Sequence, residues 1–328
     1  MQVTRKTDDG SERKGSGHSL RQRLHAWWEG YDLSAGGDAG APSAGRRPAR
    51  GDYPSEDVDF DAPVTPPALS DWSAPRRELV QMLWGVGFSY PSEPEYVLDL
   101  VKPFGLTSAN TMLEIGSGLG GGARLVASKI GCYVDAFEFD ESLIKIAKDL
   151  AIEQDIDNKA IFKKLQTEAL QLKQKFYDAA LVREVVMSVE NKDAFFETLI
   201  SALKPNTSLV ISDFFLATPE PGPSVMEAMA VEGRDLFPCD VDGVAGILAE
   251  FGLELRVNAN ETERYMEMVK GAWNIVAAKL KANPEDADPD MAEAMRAEVD
   301  LWTRRNKAFE SGELHVRRLV AFKRKEVM

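Results

Sequence analysis

The sequence predicts an α/β domain whose mostly parallel sheet carries helices on both faces. Three observations predict it. Short apolar runs alternate with amphipathic helical stretches from Pro75 onward, a glycine-rich turn joins the first run to a helix, and strand-like runs recur near the chain's end. Helical patterns cover Arg76–Trp84 and Glu93–Val101. Thr111–Ile115 is the first strand, ending in Gly116-Ser-Gly-Leu-Gly-Gly-Gly122, with Arg124–Ile130 the helix after it. Cys132–Phe139, Ala160–Leu165, Tyr177–Val182 and Ser208–Phe215 follow as strands, with helices over Ser142–Ile152 and Ala194–Leu203. Helical stretches at Met226–Gly233, Glu263–Leu280 and Asp290–Phe309 come with strand-like Leu253–Val257 and Leu314–Phe322.

Composition narrows the function. A chain of 328 residues, 44% apolar and 28% charged, buries a full globular core. Its formal charge of −14 argues against a nucleic-acid partner, because neutralising phosphates needs a basic face. Cys132 and Cys239 are too few for a disulfide framework or a thiolate metal cage, so no metal site is expected. No apolar run reaches the ~18–20 residues of a membrane span, and no signal-peptide core follows Met1, so a cytoplasmic protein is expected. Residues 1–72 are rich in Gly, Ser, Pro, Asp and Arg and read as a largely disordered tail; residues 73–328 read as the folded domain. Within the tail, residues 18–31 place Leu20, Leu24, Trp27 and Trp28 on one helical face. They read first as a short helix folding back or an unstructured stretch, with surface or protein docking through residues 18–33 as the alternative.

The glycine turn gains meaning from its acidic frame. Glycines where a strand meets a helix let the backbone pass close beneath a nucleotide. The spacing of Gly116, Gly118 and Gly121 also satisfies a dinucleotide loop, which would offer N–H groups to a pyrophosphate. Glu114 works against that anion. It suits a ligand carrying an ammonium and a sulfonium. Glu138 lies at the end of the second strand, where a carboxylate accepts hydrogen bonds from ribose hydroxyls. Asp140 competes for that role and reads better as the cap of the next helix.

With these residues in place, the sequence resembles the class I S-adenosylmethionine-dependent methyltransferases. Leu113-Glu-Ile-Gly-Ser-Gly-Leu-Gly-Gly-Gly122 looks like their first motif, and Ala136-Phe-Glu-Phe-Asp140 like their second-strand acidic motif. Phe176-Tyr-Asp-Ala-Ala-Leu181 and Leu203-Lys-Pro-Asn-Thr-Ser-Leu-Val-Ile-Ser-Asp213 look like their fourth- and fifth-strand motifs. His315-Val-Arg-Arg-Leu-Val-Ala-Phe-Lys323 looks like their antiparallel seventh strand. The resemblance therefore implies a Rossmann-like seven-stranded sheet with an antiparallel last strand. The glycine wording and Trp84-Gly-Val-Gly-Phe-Ser-Tyr-Pro91, which looks like a lid over the donor, are similar to small-molecule N-methyltransferases of the phosphoethanolamine and sarcosine type. S-adenosylmethionine is the implied cofactor. Its implied contacts are Trp84, Glu114, Gly116, Ser117, Gly118, Glu138, Phe139 and Arg183, with Gln166 and Thr167 near adenine. Two departures stand out. Gln166 occupies a place where relatives often carry a carboxylate, and Arg183-Glu-Val-Val-Met-Ser188 lacks a histidine base.

The implied reaction is methyl transfer to a small amine or hydroxyl acceptor. Arg183 and Glu184 at the end of the fourth strand and Asp213 after the fifth are the catalytic candidates. Asp213 is also read as the cap of a turn, and Arg183 with Glu184 as a surface ion pair. Elements at 217–250 and 261–311 are expected to form a helical cap over the acceptor. The alternatives are a donor-binding scaffold that has lost catalysis and acts through its tail, and an NAD-dependent dehydrogenase, which Glu114 opposes.

Overall fold

Thr111–Ile115 (β1) becomes the middle of the sheet because both of its faces are apolar or sealed: Met112, Leu113, Glu114 and Ile115 are all 0% exposed. A strand buried on both sides needs parallel neighbours and covering helices. The computed structural model describes residues 72–282 and 289–324, and it supplies them. β1 pairs in parallel with Tyr133–Glu138 (β2) on one side and Tyr177–Arg183 (β4) on the other. β2 is flanked by Ala160–Lys164 (β3), and β4 by Leu203–Leu216 (β5). Beyond β5 lie Leu314–Lys323 (β7) and then Leu253–Asn260 (β6), with β7 antiparallel to both neighbours. The order β3-β2-β1-β4-β5-β7-β6 is the expected seven-stranded, Rossmann-like sheet with its antiparallel strand. It reverses direction between β1 and β4, and the carboxyl ends of those strands open the crevice where α/β sheets bind ligands.

The helices follow the predicted alternation. Gly121–Ile130 (α3) and Glu141–Glu153 (α4) connect β1, β2 and β3, and Lys192–Ala202 (α5) leads into β5. Asp140 caps α4, its carboxylate accepting from the N–H groups of Ser142 and Leu143 at 2.8 and 3.1 Å. β5 begins at Leu203, five residues before the expected Ser208. Leu203 pairs with Tyr177 across a register shift, a long-range contact that alternation within the segment does not reveal. Val241–Glu250 (α7), expected within the cap at 217–250, packs on the sheet instead. Val244 and Leu248 lie one helical turn apart and share a core with Phe196, Leu199, Leu113 and Val182.

The cap is built from Ala74–Trp84 (α1), Pro223–Met229 (α6), Thr262–Ala282 (α8) and Pro289–Glu310 (α9). Trp84 packs edge-on against Trp302 at 5.2 Å, and Phe309 and Phe214 stand 5.5 Å apart. Ion pairs join the helices: Arg76 to Glu298 at 2.8 Å and Lys307 to Glu227 at 2.6 Å. Pro94–Val101 (α2) leads from the α1 segment toward β1. Among the described residues no helix is long and apolar enough to cross a membrane, and no cluster of metal-ligating side chains occurs. The expected helix at residues 18–31 and its docking role lie outside the described residues.

Candidate functional site

The site begins where β1 runs out. Gly116 adopts φ +86°, and a Cβ there would stand 2.1 Å from the carbonyl oxygen of Arg183. Only glycine lets the β1 and β4 ends approach so closely. The loop's N–H groups are already committed. Gly116 and Ser117 donate to the Phe137 carbonyl at 2.9 and 3.1 Å, Gly118 to Glu138 Oε2 at 2.8 Å, and Gly120 to the Ser117 carbonyl at 2.8 Å. These four groups are therefore not free to form a pyrophosphate nest.

Charge points the same way. Glu114 is fully buried with neither oxygen hydrogen-bonded, and a Cβ on Gly122, in the first turn of α3, would meet its Oε1 at 2.5 Å. A carboxylate at that helix start repels an anionic ligand. Burial pushes its pKa up to about 7, against the pull of Arg183 and with a smaller push from Glu138. Arg183 is also buried. Its Nη2 donates to Ser92 Oγ at 2.5 Å, its guanidinium lies 4.6 Å from the Tyr90 ring, and its Nη1 has no hydrogen-bond partner. A buried carboxylate and a buried guanidinium, each with an orphaned face, cost several kcal/mol per ion unless something completes them. The ammonium and carboxylate of an amino-acid end fit that pair. The hydroxyl of buried Ser117 is likewise without a partner.

Glu138 is held by its own turn. Its Oε1 accepts from the N–H groups of Phe139 and Asp140 at 2.7 and 3.2 Å, while Oε2 takes the Gly118 bond. Burial raises its pKa, opposed by these bonds and by Arg234. Oε1 already takes two bonds, but Oε2 takes one and keeps a second lone-pair direction, which leaves capacity for a ribose hydroxyl. Beyond Glu138 opens a cavity of about 500 Å³ lined by Phe139, Leu165, Gln166, Thr167, Ser188 and Phe237. The apolar part of that lining, Phe139, Leu165 and Phe237, gives a flat ring such as adenine surfaces to stack on. Gln166, Ser188 and the carboxylates of Glu168, Glu190 and Asp235 make the rest polar and acidic, with acceptors for an exocyclic amino group.

Closure over the loop comes from the segment after α1. Tyr90 donates its hydroxyl to the Gly116 carbonyl at 2.6 Å, and Cβ atoms on Gly118 and Gly121 would meet Ser89 Oγ at 2.0 Å and the Phe88 ring at 2.6 Å. Trp84, expected at the donor, lies instead in the cap against Trp302. As the last residue of α1 it shares the stripe that buries Leu79, Val80 and Leu83.

Of the three catalytic candidates, Asp213 is occupied with the backbone. Its Oδ2 accepts from Val185 and Val186 at 2.7 and 2.8 Å and its Oδ1 from Phe214 at 2.8 Å, so it fixes the turn leaving β4. Burial pushes its pKa up to about 7. Arg183 and Glu184 do not pair on the surface. Glu184 sits half-buried with φ +52°, a backbone conformation non-glycine residues rarely hold, and its Oε1 accepts from Tyr265 Oη at 2.6 Å. Behind it, Arg305 binds Glu232 through two bonds of 2.7 and 2.8 Å. Arg305 escaped the sequence reading, although a signal was present: it interrupts the buried face of α9 formed by Leu301, Trp302, Ala308 and Phe309. His315 pairs with Phe215 in the sheet, and burial lowers its pKa.

Comparison with known proteins gives the same picture. Residues 91–256 match the family model described as a methyltransferase domain. Phosphoethanolamine N-methyltransferase 1 of Arabidopsis thaliana is 23% identical over 190 residues, which cover 58% of this chain and 38% of that protein. Phosphoethanolamine N-methyltransferase 2 of Caenorhabditis elegans is 24% identical over 190 residues, covering 58% and 43%. The chain thus spans less than half the length of these relatives. The structure of phosphoethanolamine N-methyltransferase 2 from Haemonchus contortus, in complex with phosphomonomethylethanolamine and S-adenosylhomocysteine, superposes with a TM-score of 0.67 at 16% identity. It covers 78% of this chain and 59% of that one, and shares the fold.

Proposed function

The chain belongs to the methyltransferase-domain family, and from that premise we propose that it transfers a methyl group from S-adenosylmethionine to a small amine acceptor. The observation that carries the donor is the buried pair of Glu114 and Arg183, each with an unmet polar face, beside a glycine loop in which the amides of Gly116, Ser117, Gly118 and Gly120 are already hydrogen-bonded. In this reading Glu114, Arg183 and Ser117 hold the amino-acid end, Gly116 and Gly118 pass beneath it, and Glu138 takes the ribose. Phe139, Gln166 and Thr167 take the adenine. The donor, when bound, supplies a methyl group already activated on a sulfonium. What remains for the protein is alignment, which is worth up to ~7–11 kcal/mol of barrier.

Glu184 receives the acceptor. Its second oxygen is free of the Tyr265 bond, and it lies beside Arg183, whose backbone touches the glycine loop. A carboxylate there holds an ammonium by charge and takes one of its protons, freeing the nitrogen lone pair that forms the new bond as the sulfur–methyl bond breaks. Arg234, 43% exposed, draws down the carboxylates of Glu138, Glu184 and Glu232. A half-exposed cation there, 3.7 Å from Glu232, favours an acceptor with an anionic far end, as in the phosphobases named for the relatives. A panel of phosphoethanolamine, its monomethyl derivative, ethanolamine and sarcosine, with S-adenosylhomocysteine release as readout, tests the reading. Turnover is expected with an amine, fastest with those bearing an anionic end; activity only on hydroxyl or quinol acceptors would contradict it.

Donor binding carries a pH signature. Glu114 has its pKa raised to about 7 when the site is free, and pairing with an ammonium lowers it. Binding then expels a proton below that pH. S-adenosylhomocysteine affinity should be full above pH ~7.5 and fall by up to about tenfold per unit below pH ~6.5. Calorimetry between pH 6 and 8 checks this, with Glu114→Gln expected to bind more weakly at pH 8 and to flatten the slope.

A further inference from the structure

Tyr265 enters the site from the cap, 81 residues away from Glu184 in sequence, and the hydrogen bond between them links α8 to the end of β4. We propose that Tyr265 is a positioning residue for the acceptor: its hydroxyl holds Glu184 in a left-handed backbone conformation and leaves the other carboxylate oxygen facing the cleft. This rests on the reading of Glu184 as the acceptor's carboxylate. The geometry has three parts. Glu184 sits at φ +52°, and such conformations persist in non-glycine residues only where surroundings over-determine them. Two hydrogen bonds fix it: the Glu184 N–H donates to the Ser212 carbonyl at 3.1 Å, and Oε1 takes the Tyr265 hydroxyl at 2.6 Å.

The second part is the rigidity of the donor. Tyr265 is 2% exposed, with Phe214 edge-on at 5.6 Å and Trp302 and Phe309 each at 6.2 Å, so its ring has no room to swing. The third is charge. Arg305, locked on Glu232 and 4.8 Å from the Trp302 ring, stands behind the pair and favours the ionised carboxylate. The cap thereby does more than cover the sheet. Its helices α8 and α9 aim and charge the group at the end of β4.

Tyr265→Phe separates this from plain packing, because it removes one oxygen and keeps the ring. With phosphoethanolamine or whichever panel amine the wild-type enzyme accepts, KM for the amine is expected to rise about tenfold. Calorimetric affinity for S-adenosylhomocysteine should stay within twofold. The acid limb of the kcat/KM profile should move to higher pH, since the carboxylate loses a donor that favours its charged form while burial remains. The groups facing Glu184 are Arg183, Asp213, Tyr90, Tyr96, Arg234, Tyr265 and Arg305, and the variant alters only one of them. A crystal structure of the variant gives a second readout without turnover: Glu184 should leave φ +52° or lose its single rotamer. Wild-type protein inactive on every amine sinks the acceptor reading, and the crystal structure then decides the positioning role alone. Glu184 unmoved in the variant overturns the proposal, as does an unchanged KM and pH limb in an enzyme that accepts an amine.

Discussion

Replacing Glu138 with alanine should weaken S-adenosylhomocysteine binding at least about tenfold while leaving the chain folded. The side chain has two tasks. It accepts three backbone N–H bonds, from Gly118 at 2.8 Å, Phe139 at 2.7 Å and Asp140 at 3.2 Å, and so ties the glycine loop to the end of β2. Its remaining lone pair is also placed to receive a ribose hydroxyl. A hydrogen bond to a charged partner contributes ~1.5–3 kcal/mol, and losing it costs that much affinity. Each 1.4 kcal/mol is tenfold in Kd, which makes about tenfold the lower end. The fold survives because alanine removes a buried carboxylate together with its burial cost, although the N–H groups of Gly118, Phe139 and Asp140 then lack this acceptor. Glu138→Gln should lie between, since an amide oxygen replaces one acceptor and its NH2 faces backbone donors. Calorimetry with both variants, alongside circular dichroism, measures the two effects apart.

Gly116→Ala should be the more damaging change for stability. At φ +86° an L side chain is strained, and the added carbon would stand 2.1 Å from the Arg183 carbonyl and 2.5 Å from Val185 Cγ2. Neither neighbour yields cheaply, because one is backbone in β4 and the other begins the turn pinned by Asp213. Backbone strain of ~1–3 kcal/mol and overpacking of ~1–3 kcal/mol add to ~2–6 kcal/mol. For a domain of this size, ~2–4 °C of Tm accompanies each kcal/mol, so a fall of ~4 °C or more is expected, with donor binding lost as β1 and β4 separate. Gly105→Ala is the control. It also has positive φ, +59°, but nothing lies within 4 Å of its added carbon, so strain alone remains and donor binding should persist.

Much of the donor half was legible in the sequence because it is local. β1, the glycine turn and Glu138 lie within a single stretch of 28 residues, Thr111 to Glu138, and hydrophobic period and glycine spacing speak directly to such distances. The rest of the site, Arg183 at the donor's amino-acid end included, is assembled across the chain. Ser92 meets Arg183, Tyr265 meets Glu184, and Glu232 meets Arg305, pairs separated by 91, 81 and 73 residues. Nothing in the neighbourhood of any one residue announces its partner. Positive φ at Glu184 leaves no trace either, since sequence flags that conformation only where glycine, asparagine or aspartate stands. For α7, helical period was readable, but which layer its apolar face would meet was not; Val244 and Leu248 found the sheet rather than the cap. Asp213 shows the same limit in reverse. A carboxylate after a strand reads equally as a reactive group or as a turn cap until its three N–H donors are seen.

The central claim is that the cleft is built for a cationic, phosphate-free adenosyl ligand. Titration of the purified chain with S-adenosylhomocysteine and, separately, with NAD at pH 8 weighs it most directly. Micromolar binding of the first with no heat from the second is the predicted result. Comparable affinity for NAD, or silence toward both, would contradict it, because then the buried Glu114 and Arg183 would be answering to something else.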